Sequence, residues 1–86
     1  MAVILLPSLL ATEAGGRGRF ESDAATVKAA LTQLPVADLL FDERGELRSL
    51  VNVYVDGVDV RDRGGLDAPA GESEIRVVAA VAGGCA

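Results

Sequence analysis

The sharpest alternation of apolar and polar positions lies in LVNVYVDGVDV, where Val51, Val53 and Val55 interleave with Asn52 and Tyr54 before Asp56 and Gly57. A period of two puts the valines on one face of a strand, and Asp-Gly between such runs predicts a tight hairpin turn into a further strand. Near the start, AVILL is an aliphatic run that Pro7 stops, which reads as a first strand. In EAGGRGRFE, a loop at Gly15 and Gly16 leads to a second strand through Arg19, Phe20 and Glu21, so the first two strands form a hairpin.

From Asp23 the period lengthens. Val27, Ala30, Leu31 and Leu34 follow the spacing of one helical face, with Asp23 or Thr26 as the cap and Pro35 as the stop. In VADLLFDERGEL, Leu39, Leu40 and Phe41 beside charges and Gly45 predict a short helical turn that plugs the core, then a surface loop. RDRGGLDAPAGESE is a polar connection in which Gly64 and Gly65 supply a positive-φ turn. IRVVAAVA is then a last strand, with Ile75, Val77, Ala79 and Val81 on one face. Strand, strand, helix and three strands make an α+β domain: a β-grasp arrangement with a mixed four- to five-stranded sheet packed on one main helix. The domain spans residues 1–82, and residues 83–86 form a tail.

Composition narrows the function more than the fold. The chain has 86 residues, which is one small domain with no room for a separate catalytic lobe. It has no histidine and no tryptophan, so the commonest general base and metal ligand is missing, and only three aromatic residues are available to stack on bases. A net charge of −5 repels phosphate backbones and favours partners with basic surfaces, which argues against nucleic acid. The single cysteine, Cys85, forms no internal disulfide, as expected in a reducing cytoplasm. The apolar opening lacks a basic leader and contains Pro7, so it reads as a strand rather than a secretion signal or a membrane segment.

Scattered serines, threonines and carboxylates, with no histidine partner, do not assemble a catalytic set. Asp56, Asp59, Asp62 and Asp67 match no calcium loop and read as a solvated rim, so no metal is expected. Arg17, Arg19, Arg61 and Arg63 are broken up by glycines and acids and read as solubility and ion-pairing residues. Gly83 and Gly84 are different, because they follow the last strand directly. A side-chain-free segment can thread a narrow channel, and from Val81 to Gly84 it reaches about 10 Å.

The run from LVNVYVDGVDV through GES and IRVVAAVAGG resembles the ubiquitin-like sulfur carriers of the ThiS/MoaD family, and is most similar to the cysteine-biosynthesis-type carriers. The resemblance covers nearly the whole chain. It implies a carrier rather than an enzyme, with no bound cofactor. An adenylyltransferase/sulfurtransferase of the ubiquitin-activating type uses ATP to activate the Gly84 carboxylate, and a thiocarboxylate then donates sulfur to a biosynthetic enzyme. Cys85 and Ala86 depart from the family pattern by placing residues beyond Gly84. They read as a cap, which a zinc metalloprotease trims in some family members; an inert tail and a reactive thiol at Cys85 are the other two readings. Partner docking falls on the sheet face away from the helix, at Asn52, Tyr54, Val78 and Ala80, with Arg76 on the same face. Three alternatives stand beside the carrier: a molybdopterin-synthase-type small subunit, a ubiquitin-like protein modifier and a plain interaction module.

Overall fold

The computed structural model of the chain describes residues 1–79. Its centre is a five-stranded sheet in the order β2-β1-β5-β3-β4, formed by β1 (Ala2–Leu5), β2 (Arg19–Ser22), β3 (Val51–Val55), β4 (Val58–Asp59) and β5 (Glu74–Ala79). β5 runs parallel to β1 and antiparallel to β3, and the remaining pairs are antiparallel, which makes the sheet mixed. The alternation read in β3 and β5 is the one the fold uses. Val51, Val53, Val55, Ile75 and Val77 are buried, while Asn52, Tyr54, Arg76 and Val78 turn to the other face.

Strands one and two do pair, with Ile4 opposite Phe20, but their connection is not the simple loop expected. A six-residue helix, α1 (Ser8–Glu13), occupies it. Pro7 stops β1 and at the same time starts this helix, because its fixed φ of −68° suits the N-cap position and its carbonyl accepts from Ala11 N–H at 2.8 Å. Gly15 and Gly16 close it with φ of 80° and 89°, the left-handed geometry that lets Gly16 N–H reach back to the Ala11 carbonyl at 2.8 Å. Leu10 is buried and anchors α1 to the core.

The second helix, α2 (Val27–Thr32), buries Val27, Ala30 and Leu31, and Leu34 follows it into the core just past its end. Thr26 rather than Asp23 is the cap, its Oγ1 accepting from Ala29 N–H at 3.2 Å. A short α3 (Ala37–Leu40) plugs the core with Leu40, which is fully buried, while Leu39 points outward and Phe41 is half-buried. The helical layer is therefore three short helices, none longer than six residues, where the sequence suggested one main helix.

The β3–β4 turn falls at Asp56 and Gly57 as expected, both with positive φ (52° and 85°), and Val55 faces Val58 across it. Asp56 also ties this turn to the start of β5: its N–H donates to the Glu74 carbonyl at 2.8 Å, and its Oδ1 accepts from Glu74 N–H at 2.9 Å. The polar connection after β4 is more ordered than its composition implies. It forms two 3₁₀ turns, Val60–Arg63 and Gly65–Asp67, around the positive-φ pair Gly64 and Gly65, and buries Val60, Ala68 and Ala70. The hydrogen bonds Val27 N–H to Ala68 O (3.0 Å) and Ala70 N–H to Ala25 O (3.0 Å) lace it to the start of α2. Every residue of the fully buried core is aliphatic, while Phe20 and Phe41 pack partly buried against it, which accounts for a domain that needs so few aromatic residues.

Candidate functional site

β5, the last described strand, takes the central position in the sheet. β1 on one side and β3 on the other hold it through Ile4–Ile75 and Val55–Ile75, so the strand that leads to the tail is paired along both edges. Ala79, the last described residue, faces Val51 at the start of β3. Ala80, Val81, Gly83, Gly84, Cys85 and Ala86 lie outside the described residues, so the tail, the cap and one docking residue of the sequence reading do too.

The described docking residues do gather on one face. The register sets Asn52 opposite Val78 and Tyr54 opposite Arg76, with Asp59 of β4 beside Tyr54. Leu5 continues the row on the far side of Arg76, and Val3 sits next to Glu74. Among the described residues no helix covers this face: Val78 is 39% exposed, and Val3, Leu5, Asn52 and Tyr54 are half-buried. Its chemistry is a run of Leu5, Tyr54 and Val78 set among paired charges, Arg19–Glu21 at 3.4 Å and Arg76–Glu74 at 3.3 Å. Exposed pairs of this kind add little to stability, which leaves the charges available to a partner.

Arg61 makes the ion pair expected of it, with Asp59, and in doing so organises the edge of this face. Its Nε and Nη2 donate to Asp59 at 3.1 and 2.9 Å, its backbone N–H donates to Asp59 Oδ1 at 2.9 Å, and Nη2 also donates to Asn52 Oδ1 at 3.2 Å. The side-chain bonds from Arg61, followed by its backbone N–H, hold the Asp59 carboxyl below its ordinary value of 3.8. With its oxygen engaged, the Asn52 amide presents its N–H groups beside Val78. Asp-x-Arg directly after an Asp-Gly turn was the available signal, and it went unread because the bend into a 3₁₀ turn is what brings Arg61 back over Asn52. Beside this cluster a cavity of about 270 Å³ opens between Ser49, Val51, Val53, Val60 and Leu66.

The other sequence candidates separate. Asp56 and Asp59 serve the two turns just described, and no group of three or more potential metal ligands forms among the described residues. Asp42 holds its own loop, accepting from Glu46 N–H at 3.0 Å and Arg44 N–H at 2.9 Å, bonds that lower its pKa. Among the described residues no helix is long and apolar enough to cross a membrane.

The pattern of one protein family matches residues 4–84 of the chain. The chain belongs to the ThiS family. It is thereby a member of the ubiquitin-like sulfur carriers and modifiers, a group of small β-grasp proteins. CysO of Mycobacterium tuberculosis, described as an antigen, is 27% identical with a TM-score of 0.82, over 94% of this chain and 100% of that one. A chain of the Amycolatopsis orientalis BexX/CysO complex is 28% identical with a TM-score of 0.79, over 95% and 98% of the two chains. SAMP1 from Haloferax volcanii is 28% identical with a TM-score of 0.71, over 94% and 96%. No curated protein sequence matches the chain.

Proposed function

We propose that this ThiS-family chain is a sulfur carrier whose reactive atom is the carboxylate carbon of Gly84. The observation that supports this most directly is the end of the family match: it runs through Gly83 and Gly84 and stops before Cys85. In this reading a protease, a zinc metalloprotease by family resemblance, removes Cys85 and Ala86 by hydrolysis and frees the Gly84 carboxylate. An activating enzyme of the ubiquitin-activating type then joins a carboxylate oxygen to the α-phosphorus of ATP, and pyrophosphate leaves. A sulfur nucleophile attacks the acyl carbon, AMP departs, and a thiocarboxylate remains to pass its sulfur to a biosynthetic enzyme. The carboxylate alone is a poor electrophile, and the adenylate step exists to supply a leaving group.

The carrier contributes position rather than catalysis, and binds no cofactor of its own. β5 is held on both edges, so a partner that grips the face around Tyr54, Asn52 and Val78 fixes the position of the strand from which the chain continues to Gly84. Placement at that level matters because misalignment of about 1 Å at a reacting centre costs on the order of a hundredfold in rate. The BexX/CysO complex supports a carrier that docks on a separate protein.

One test reads processing and loading together: the intact mass of the protein from its native host, with and without alkylation. Loss of Cys85-Ala86 with one oxygen of the Gly84 carboxylate exchanged for sulfur is expected, and a variant lacking Gly83 and Gly84 loses all sulfur loading. An unprocessed, unloaded chain under every sulfur-demanding condition refutes the carrier. The similarity to a protein titled a small archaeal modifier, 27% identical, favours one second reading, conjugation of Gly84 to a lysine amine. Adducts that survive reduction and thiol treatment distinguish it.

A further inference from the structure

β2 lies at one side of the described sheet with only β1 beside it. The ladder decides which of its backbone groups face outward. Leu6 N–H donates to the Gly18 carbonyl at 2.9 Å, in line with the register that sets Leu5 opposite Arg19 and Ile4 opposite Phe20. Backbone groups alternate sides along a strand, so those of Phe20 and Ser22 turn to β1 and those of Arg19 and Glu21 turn to the open edge. Such an edge is a template for another strand.

One outward acceptor is occupied by the chain itself. Arg17 Nε donates to the Arg19 carbonyl at 3.0 Å, and the same guanidinium lies 4.9 Å from the centroid of the Phe20 ring. The exposed Arg17 side chain therefore lies across the edge, closing a carbonyl and shielding the half-buried ring next to it.

The sequence of β2, Arg-Phe-Glu-Ser, suits one visitor in particular. If two β2 edges meet antiparallel about a two-fold axis through Phe20, Arg19 of each copy stands opposite Glu21 of the other. Opposite charges then face each other at both positions, and residues whose backbone groups point outward are paired. Each of these pairs exchanges both N–H···O bonds, and one bond of each pair uses the Arg19 carbonyl that Arg17 now holds. An isologous edge contact of this kind closes on itself at two chains.

We propose that β2 is a pairing edge for a second copy of this chain, and that Arg17 holds it closed. Removing Arg17 uncovers the two Arg19 carbonyls the dimer needs, while the net negative charge of each copy, −5 with Arg17 and −6 without it, opposes association.

Sedimentation equilibrium of the full chain over about 10–500 μM, at roughly physiological salt where distant charges are screened, tests this. Arg17→Ala is expected to raise the association constant about tenfold or more above wild type. Arg17→Met keeps an apolar cover over Phe20 and removes only the donor, and is expected to do the same. Adding Glu21→Lys to Arg17→Ala sets like charges opposite each other and returns the chain to monomer, while the swapped pair Arg19→Glu with Glu21→Arg restores the dimer. An Arg17→Ala chain as monomeric as wild type, a dimer indifferent to Glu21→Lys, or loss of the folded circular dichroism signal in both Arg17 variants overturns the proposal.

Discussion

The two faces of β5 carry different duties, and truncating one residue on each separates them. Ile75 is fully buried between Ile4 and Val55, its partners on either side. Cutting it to alanine removes three carbons, worth about 2.4 kcal/mol at ~0.8 kcal/mol each, and the cavity brings the total to roughly 3–4 kcal/mol. A domain of this length holds only about 4–13 kcal/mol in all, so between about a quarter and nearly all of its stability is at stake. With a urea slope of ~1 kcal/mol/M, Ile75→Ala moves the midpoint down by roughly 3 M, and Ile75→Val by about 1 M. Val78 sits three residues on, facing the other way and 39% exposed. Val78→Ala loses two carbons that are only partly removed from water, under about 1 kcal/mol, and leaves no enclosed cavity. Urea unfolding followed by far-ultraviolet circular dichroism gives both numbers. Under the carrier function proposed above, Val78→Ala is also expected to slow adenylation of a chain ending at Gly84 by an activating enzyme of the ubiquitin-activating type, while the fold stays intact. If Val78→Ala destabilised the domain as much as Ile75→Ala, the face would be part of a covered core, and the docking assignment would fail with it.

Asp56→Ala places a Cβ without a hydrogen-bonding group at a φ of 52° and removes the acceptor for Glu74 N–H, so a loss of about 1–2 kcal/mol is expected from the thermal midpoint. Asp56→Asn, which tolerates the same backbone and keeps an oxygen, loses less. The Asp59 carboxyl, followed by carbon-13 chemical shift, is expected to titrate below 3.8 and to return toward that value in Arg61→Ala. Because its pKa is lowered on folding, the contribution of this pair is present above 3.8 and is lost as the pH falls through the lowered value. A titration unchanged in Arg61→Ala would mean that Arg61 does not hold Asp59, and would release Asn52 with it.

Much of this protein follows from local pattern. The alternation in Val51–Val55 and in Ile75 and Val77 sorted residues onto the two faces of the sheet before any contact was known, because the period of a strand leaves one register that buries Val51, Val53 and Val55 together. The Asp56-Gly57 turn and the α2 face at Val27, Ala30 and Leu31 were legible for the same kind of reason: each needs only neighbouring residues to state its preference. Helix α1 was missed because Pro7 carries two meanings, strand stop and helix start, and a six-residue helix has too few positions to show a period. The ordered 3₁₀ turns were missed because alanines such as Ala68 and Ala70 look like loop filler until α2 packs over them.

What tertiary structure alone decided is how the two hairpins and the last strand join into one sheet. Nothing in AVILL or IRVVAA states that β5 enters between β1 and β3, since pairing joins residues about seventy positions apart and is chosen by the common burial of Ile4, Ile75 and Val55. That choice makes the last strand the middle of the sheet, adds Val3 and Leu5 to the face of Tyr54 and Val78, and leaves β2 at the side with Arg17 across it. The residues able to face a partner were written in the order of the chain; their assembly into one surface came only when distant strands buried a shared core.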